Sequence, residues 1–333
     1  MNIHPGDTNQ TIHPVETRHT IGFMLAPNFS MISVASAIEV LRLANHVTAR
    51  DIFDWKVFSL DGADVPASNG IRISCDGPFS AAEPMPEIVL CTPLHVDRAY
   101  LQTMISRVRT LAARGAAVGS VCSGTYVLAR AGLLDGYRCA IHWEHYDAFR
   151  EEFPEIEVTQ NLFEVDRNRF TCAGGTAAAD MMLTKVTDRL GSEVAAAVTD
   201  ELIHHRMRDA DERQRMELRS RVGVAHPKLL SVIGEMENRI ERPLTCSHLA
   251  RLVHLSPRQL ERLFQRYLNS TPTRYYLTLR LNRARHLLRQ TSMPILSVGL
   301  ACGFVSASHF SKCYSEHFKR TPSEERKKVI VAA

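Results

Sequence analysis

Compact apolar runs alternate with longer stretches of helical spacing along the first 210 residues. Residues 20–25, 55–60, 88–91, 117–121 and 170–172 are apolar runs of strand character, and residues 71–74 form a further short strand that pairs nearby. Between them, residues 33–46, 101–115, 124–132 and a segment opening near 176 carry apolar side chains at helical intervals. The unbroken apolarity of Ile88-Val89-Leu90-Cys91 requires a buried strand. Strand and helix in alternation predict an α/β domain, a doubly wound parallel sheet with helices on both faces. Beyond about residue 226 only helical spacing persists, which predicts a second, all-α domain.

The all-α part contains a near-repeat. Leu255-Ser256-Pro257-Arg258-Gln259-Leu260-Glu261-Arg262-Leu263-Phe264 recurs 50 positions later as Val305-Ser306-Ala307-Ser308-His309-Phe310-Ser311-Lys312-Cys313-Tyr314. Ser256 and Ser306 each stand where an N-cap stands, and Thr271-Pro272 recurs as Thr321-Pro322. Leu249-Ala250 and Leu300-Ala301 open a turn just upstream of each copy. The arrangement is helix, turn and helix, twice. Two such units present two recognition helices to successive major grooves of double-stranded DNA. In the first, Leu260, Leu263 and Phe264 form the inward stripe, leaving Arg258, Glu261 and Arg262 for base edges. In the second, Phe310 and Tyr314 face inward, and Ala307, Ser308, Ser311 and Lys312 face the groove. His309 suits either packing on the turn or base contact. Residues 280–288 form a rigid connecting helix with Leu281, Ala284, Leu287 and Leu288 buried; Arg283, Arg285 and Arg289 are expected exposed, near phosphates.

Charge agrees with this reading. From residue 226 onward stand 18 Lys and Arg against 7 Glu and no Asp, a net +11, while the rest of the chain carries −7. A basic surface of this kind neutralises phosphates. The 333 residues suffice for two cores, and no apolar run approaches the ~18 residues that span a bilayer, so no membrane partner is expected. The first 18 residues, polar and without a secretory apolar segment, read as a disordered arm. None of the eight cysteines stands in a C-x-x-C pair, which favours a reduced, cytoplasmic protein over a disulfide framework or a metal centre. The His204-His205 pair lacks further ligands at useful spacing, and no cofactor is expected. The charged stretch 209–227 reads as a linker between domains spanning 19–208 and 228–328.

The sharpest local signal in the first domain is Gly119-Ser120-Val121-Cys122-Ser123-Gly124, a buried strand running into a helix with Cys122 at the turn. A side chain in such an elbow points into the crevice where open α/β sheets bind ligands. The helix start behind it is expected to lower the thiol pKa and to favour an anionic group. His142 lies 20 residues on, followed by Trp143. Cys122 could instead be a small buried side chain, although its elbow placement favours pocket exposure; His142 could equally be a structural histidine, and Trp143 by itself reads as plain core. Ala173-Gly174-Gly175-Thr176 reads as a tight strand-to-helix turn rather than a phosphate cradle.

Two resemblances follow from these motifs. Residues 228–328, with Leu249-Ala250, the segment from Ser256 to Phe264, Arg280-Leu281-Asn282-Arg283-Ala284-Arg285-His286-Leu287-Leu288 and Gly303-Phe304-Val305-Ser306-Ala307-Ser308-His309-Phe310-Ser311-Lys312, resemble the AraC/XylS family of bacterial transcription regulators. Asn269 and Lys319 stand where that family has Gly; Asn tolerates a left-handed C-cap, whereas Lys is slightly strained there. Residues 19–208 resemble the amidotransferase-like PfpI superfamily, and in particular regulators that fuse this flavodoxin-like fold to an AraC-type reader. The match is carried by Ala131-Gly132-Leu133-Leu134-Asp135-Gly136, His142-Trp143 and the segment from Ala173 to Asp180. The resemblance implies a cytoplasmic, homodimeric regulator, an activator of a catabolic operon acting with RNA polymerase, whose first domain binds a small nitrogenous metabolite. It is most similar to a branch that answers to amino-acid derivatives and quaternary amines.

Cys122, His142, Trp143, Asn28, Phe29 and Thr92 are the candidate ligand-binding residues. A quaternary ammonium needs an aromatic cage, for which Trp143, Phe29, Tyr126 and Trp55 are the available rings. Catalytic relatives carry a carboxylate after the first strand, where this chain reads Ala26-Pro27-Asn28-Phe29-Ser30-Met31, and Gly-Gly where it reads Thr92-Pro93. Pro93 has no N–H to offer. A binding pocket is therefore expected rather than an enzyme. A cysteine-dependent hydrolase or hydratase, and a thiol redox sensor at Cys122, are the alternatives.

Overall fold

The computed structural model describes residues 18–82 and 85–332; apart from Arg18, the expected N-terminal arm lies outside them. The first domain runs β1 (His19–Leu25), α1 (Met31–Thr48), β2 (Phe53–Ser59), β3 (Val65–Pro66), β4 (Arg72–Ile73), β5 (Gly77–Pro78), β6 (Glu87–Thr92), α2 (Arg98–Ala113), β7 (Ala117–Cys122), α3 (Gly124–Arg130), β8 (Arg138–Ala140), α4 (Tyr146–Glu152), β9 (Glu157–Thr159), β10 (Phe163–Asp166), β11 (Arg169–Cys172), α5 (Ala177–Leu190) and α6 (Ser192–Glu201). A short α7 (Leu218–Val222) follows. The second domain is α8 (Pro227–Asn238), α9 (Cys246–Leu252), α10 (Pro257–Leu268), α11 (Pro272–Gln290), α12 (Ile295–Ala301), α13 (Ala307–Phe318) and α14 (Pro322–Ala332).

The main sheet has the order β10-β11-β7-β6-β1-β2-β5. Every neighbouring pair is parallel except β10 with β11, which form an antiparallel edge. That edge strand is short and carries a buried charge, Glu164, paired with Arg138, so its apolar pattern is weak. The strand expected at 71–74 lies outside the main sheet, as β4 of a two-stranded pair with β3. Successive strand residues point to opposite faces. Ile21, Phe23, Leu25, Val89 and Cys91 pack in one core with α1, α5 and α6. Met24, Ile88 and Leu90 pack in another with α2, α3 and Phe149 of α4. At roughly 1.5–3 kcal/mol for each fully buried large aliphatic side chain, this division holds β1, β6 and β7 in the middle of the domain with their C-terminal ends free for a site.

The stretch 209–227 divides between the domains. Asp180, fully buried on α5, accepts the Arg208 backbone N–H at 2.9 Å and its Nε at 3.0 Å, and lies 3.2 Å from His204 Nε2. Ala210 O accepts Leu162 N–H at 2.8 Å. Gln214 Nε2 donates to Ile141 O at 2.9 Å and to Asn161 O at 2.7 Å. The chain is thus pinned to the sheet domain as far as Gln214. Leu218 and Val222 of α7 then pack on the core of α8, α9 and α10.

Helix α11 is shared between the two halves of the second domain, as its apolar stripe predicts. Tyr276 packs in the first core and donates from its hydroxyl to Arg239 O at 2.6 Å. Leu281, Ala284, Leu287 and Leu288 pack in the second with Val298, Phe310 and Tyr314. Arg280 reaches Cys302 O and Gly303 O, each at 2.8 Å, and lies over the Phe304 ring. The sheet domain also touches this helix. Ala148 of α4 is buried within the second core, Arg283 pairs with Asp147 at 3.0 Å, and His286 stands 3.3 Å from Glu144.

Candidate nucleic-acid interface and effector site

The near-repeat is a structural duplication with one residue inserted. In the first unit Leu255 N–H donates to Ala250 O at 2.9 Å; in the second Phe304 N–H donates to Gly299 O, also at 2.9 Å. Up to that point the units correspond at an offset of 49, so Leu249-Ala250 matches Val298-Gly299, both pairs buried. The sequence pairing with Leu300-Ala301 is therefore corrected: Leu300 is 52% exposed. The offset becomes 50 through Val305, which is 94% exposed and extends the second turn by one residue. Ser256 then caps α10, its Oγ accepting Gln259 N–H at 3.3 Å while Gln259 Oε1 accepts Ser256 N–H at 2.8 Å. Ser306 Oγ caps α13 by accepting His309 N–H at 3.4 Å.

Both capped helices turn the expected faces outward. Leu260 and Phe264 are buried, and Arg258, Glu261 and Arg262 are exposed. Phe310 and Tyr314 are buried; Ala307, Ser308 and Lys312 are exposed, and Ser311 is half-buried. Among the described residues, no ion pair or side-chain hydrogen bond engages Arg258, Glu261, Arg262 or Lys312. These groups are free to meet phosphates and base edges. His309 packs on the turn, its ring 5.8 Å from that of Phe304 and its Nε2 3.3 Å from Cys313 Sγ. Asn269 and Lys319 both adopt the left-handed C-cap, at φ 46° and 56°.

The three arginines expected near phosphates are engaged within the protein. Arg283 holds Asp147 of the other domain, and Arg285 and Arg289 hold Glu325, which is fully buried. The expectation fails because the buried stripe of α11 turns these neighbours towards acidic partners from α4 and α14. Burial opposes the charge on Glu325, but Arg289 and Arg285 outweigh it and hold the carboxyl below the ordinary range.

In the first domain the elbow is present. Cys122 has φ 58°, a left-handed conformation that a side chain adopts only at the expense of about 1–3 kcal/mol of strain. Two glycines make room for it. A Cβ on Gly174 would stand 2.8 Å from Cys122 Cβ, and one on Gly124 would stand 2.5 Å from Leu90 O. The Gly174-Gly175 segment is a packing turn, with Gly175 N–H donating to Ser33 Oγ at 2.8 Å. Thr92 pairs in register with Cys122 across the ends of β6 and β7, and its buried Oγ1 has no hydrogen-bond partner. A ligand at the strand ends can satisfy it.

Burial pushes the Cys122 thiol above its ordinary pKa, Ser123 opposing and Glu144 adding to the rise. Desolvation thus acts against the lowering expected from the helix start. Among the described residues no hydrogen bond joins Cys122 to His142, whose Nδ1 accepts Glu144 N–H at 3.3 Å. Burial holds the His142 imidazole below its ordinary pKa, against the pull of Glu144.

The remaining candidates are dispersed. Phe29 is fully buried in the core under α1, against which Trp55 also packs, whereas Tyr126 lies in the core on the opposite face of the sheet. These rings do not converge on one cage. Asn28 is exposed on a left-handed turn, at φ 66°. Tyr126, His145, His142 and Trp143 instead form a continuous row, with successive ring centroids 6.4, 5.7 and 5.4 Å apart. Trp143, 41% exposed, opens into a cleft of about 820 Å³ between the domains, where Glu144, Asp147, Arg215, Arg283 and His286 line the walls. Sequence reasoning missed this cleft, because nothing in the spacing of residues 144–148 and 279–290 shows that α4 docks on α11.

Comparison with known proteins accounts for both domains. Residues 19–188 match the DJ-1/PfpI family, and residues 249–328 match the helix-turn-helix domain family. The HTH-type transcriptional regulator GbdR of Pseudomonas aeruginosa is 44% identical over 97% of this chain and 87% of that one. A solved AraC family transcriptional regulator from Pseudomonas putida, 31% identical, superposes on 55% of this chain and 99% of its own with a TM-score of 0.52. An isonitrile hydratase of Pseudomonas putida is 30% identical, but over only 54% of this chain and 75% of that one. With two helix-turn-helix units behind a DJ-1/PfpI-type domain, the chain belongs to the AraC-type helix-turn-helix transcriptional regulators and is a DNA-binding regulator.

Proposed function

We propose that the protein binds an extended operator through α10 and α13 and activates a catabolic operon when a small nitrogenous metabolite binds its first domain. The observation that carries the DNA-contact assignment is the unpaired outer face of both helices: Arg258, Glu261 and Arg262 on one, Ala307, Ser308, Ser311 and Lys312 on the other. Arg258 and Arg262 have the reach and geometry for guanine edges, and Ala307 suits a thymine methyl. A footprint covering two major-groove segments one helical turn apart supports the reading; protection of a single segment counts against it.

The effector site extends from the strand ends, at Cys122 and Thr92, along His142 to Trp143. An unpartnered Thr92 hydroxyl and the elbow suit an anionic or polar group, while the exposed indole suits an organic cation such as a quaternary amine. Signal passes by contact: Glu144 and Asp147, immediately after Trp143, hold His286 and Arg283 on the helix that joins the two readers. An effector that moves residues 142–147 shifts α11, and with it the placement of α10 relative to α13. A homodimer and a contact with RNA polymerase complete the proposal. A thermal-shift screen of the full chain against amino acids, betaines, carnitine and arginine derivatives tests the effector class; a ligand at 100 times its Kd adds about 2.7 kcal/mol. Unchanged binding in Cys122→Ala and Thr92→Val counts against the crevice.

A further inference from the structure

Arg215, in the interdomain cleft, is held by a ring and not by a carboxylate. Arg215 lies over the Trp143 ring, its guanidinium carbon 4.5 Å from the centroid. Among the described residues it makes no hydrogen bond or ion pair. The nearest acidic influence on it is Glu237, which is itself engaged by Arg221 at 2.8 Å. An exposed arginine whose guanidinium rests on an indole face alone is in the position that a small organic cation would take.

The place of Arg215 in the chain gives this contact a consequence. Gln214, just before it, is pinned to Ile141 O and Asn161 O of the sheet domain. Leu218, just after it, packs on the core of the first reading unit. The Arg215–Trp143 contact is therefore the last hold of the sheet domain on the connector. The cleft beside it has room, at about 820 Å³; its walls carry arginines as well as carboxylates, so it is the Trp143 ring rather than the wall charge that selects a cation.

We propose that Arg215 occupies the cation site at Trp143 in the ligand-free protein, so that a cationic effector and the docked connector exclude one another. This rests on the reading that the effector is an organic cation bound at Trp143 and adds its regulation: the protein carries its own competitor. Binding of the effector frees residues 215–217 and lets the first reading unit move relative to the sheet domain.

The test is isothermal titration of the full chain with trimethylglycine and with tetramethylammonium chloride, in the native protein, Arg215→Gln, Trp143→Leu and Trp143→Phe. Arg215→Gln is expected to bind both probes about 2–5 times more tightly, the gain from removing one competing cation–π contact. Trp143→Leu is expected to lose binding and Trp143→Phe, which keeps a ring, to retain part of it. Amide hydrogen exchange supplies a second readout. Saturating trimethylglycine should speed exchange across residues 215–222 in the native protein, and Arg215→Gln should show the faster exchange without ligand. Equal affinity in native and Arg215→Gln proteins, with binding lost in Trp143→Leu, overturns the competition and leaves the effector reading intact. Binding of neither probe, or binding indifferent to Trp143, overturns both.

Discussion

The two reading units have the same helices and nearly the same turn, yet are secured differently. In the first, the left-handed residue of the turn is His254, at φ 52°; in the second it is Gly303, at φ 76°. The difference has a cause in packing. A Cβ on Gly303 would stand 2.6 Å from Ile240 O, whereas His254 is exposed. The first unit closes α10 with a reciprocal cap between Ser256 and Gln259. The second places its reciprocal cap at α14, between Thr321 and Glu324, and anchors that helix by the buried Glu325 among Arg285, Arg289 and Arg320. A duplicated motif thus keeps its backbone while its stabilising contacts diverge with what lies beside each copy. The outer faces diverge as well: long charged side chains on α10, mostly small ones on α13. The first suits hydrogen-bonded base recognition, and the second suits close approach to the groove.

The largest expected effect breaks the second anchor. Removing Arg285 and Arg289 together leaves Glu325 buried with only Arg320, at 3.7 Å, and should destabilise the second unit by about 3–5 kcal/mol. Arg221→Ala, which breaks a partly exposed pair in the first unit, should cost less than about 1 kcal/mol. Denaturant unfolding with hydrogen exchange on α10 and α13 separates the two; equal losses would show that the units do not differ in this way.

Acid should act in the same direction. The Glu325 carboxyl is held below the ordinary carboxylate range, so its contribution is present above about pH 4.5 and is lost as pH falls through the lower folded value. Among the described residues of the second domain it is the single buried charge, so α13 and α14 should lose protection before α10. Simultaneous loss would remove the assignment.

Gly303→Ala adds a left-handed alanine and a clash with Ile240 O, and should cost roughly 2–4 kcal/mol. His254→Gly removes strain at the matching position and should stabilise by up to about 1 kcal/mol. Opposite signs in thermal denaturation confirm the divergence. On the DNA side, Arg262→Ala should lose roughly 1–3 kcal/mol of discrimination at its contacted base. Lys312→Ala should instead weaken all sequences alike and flatten the salt dependence by about one phosphate. The smallest effect is at the helix ends: Lys319→Gly should gain about 1 kcal/mol and Asn269→Gly less, since Asn already tolerates the left-handed cap.

Local and periodic features of this protein follow from its sequence. The strand–helix alternation places five of the sheet strands because burial on both faces requires apolar runs. Ser256 and Ser306 cap the reading helices because an N-cap acts on atoms three residues away. The elbow at Cys122 is legible because glycines on either side are what such a turn needs. The tertiary structure decided the rest. Arg283, Arg285 and Arg289 look like phosphate contacts in sequence, but Asp147 and Glu325 arrive from 136 and 36–40 residues away and claim them. Burial pushes the Cys122 thiol up, and that burial comes from surrounding elements that the local spacing does not show. Phe29 and Tyr126 lie on opposite faces of the sheet, so no spacing rule could join them in a cage. The docking of α4 on α11 and of Arg215 on Trp143 left no periodic trace. Pairing and burial depend on which distant surfaces meet, and only the folded chain brings them together.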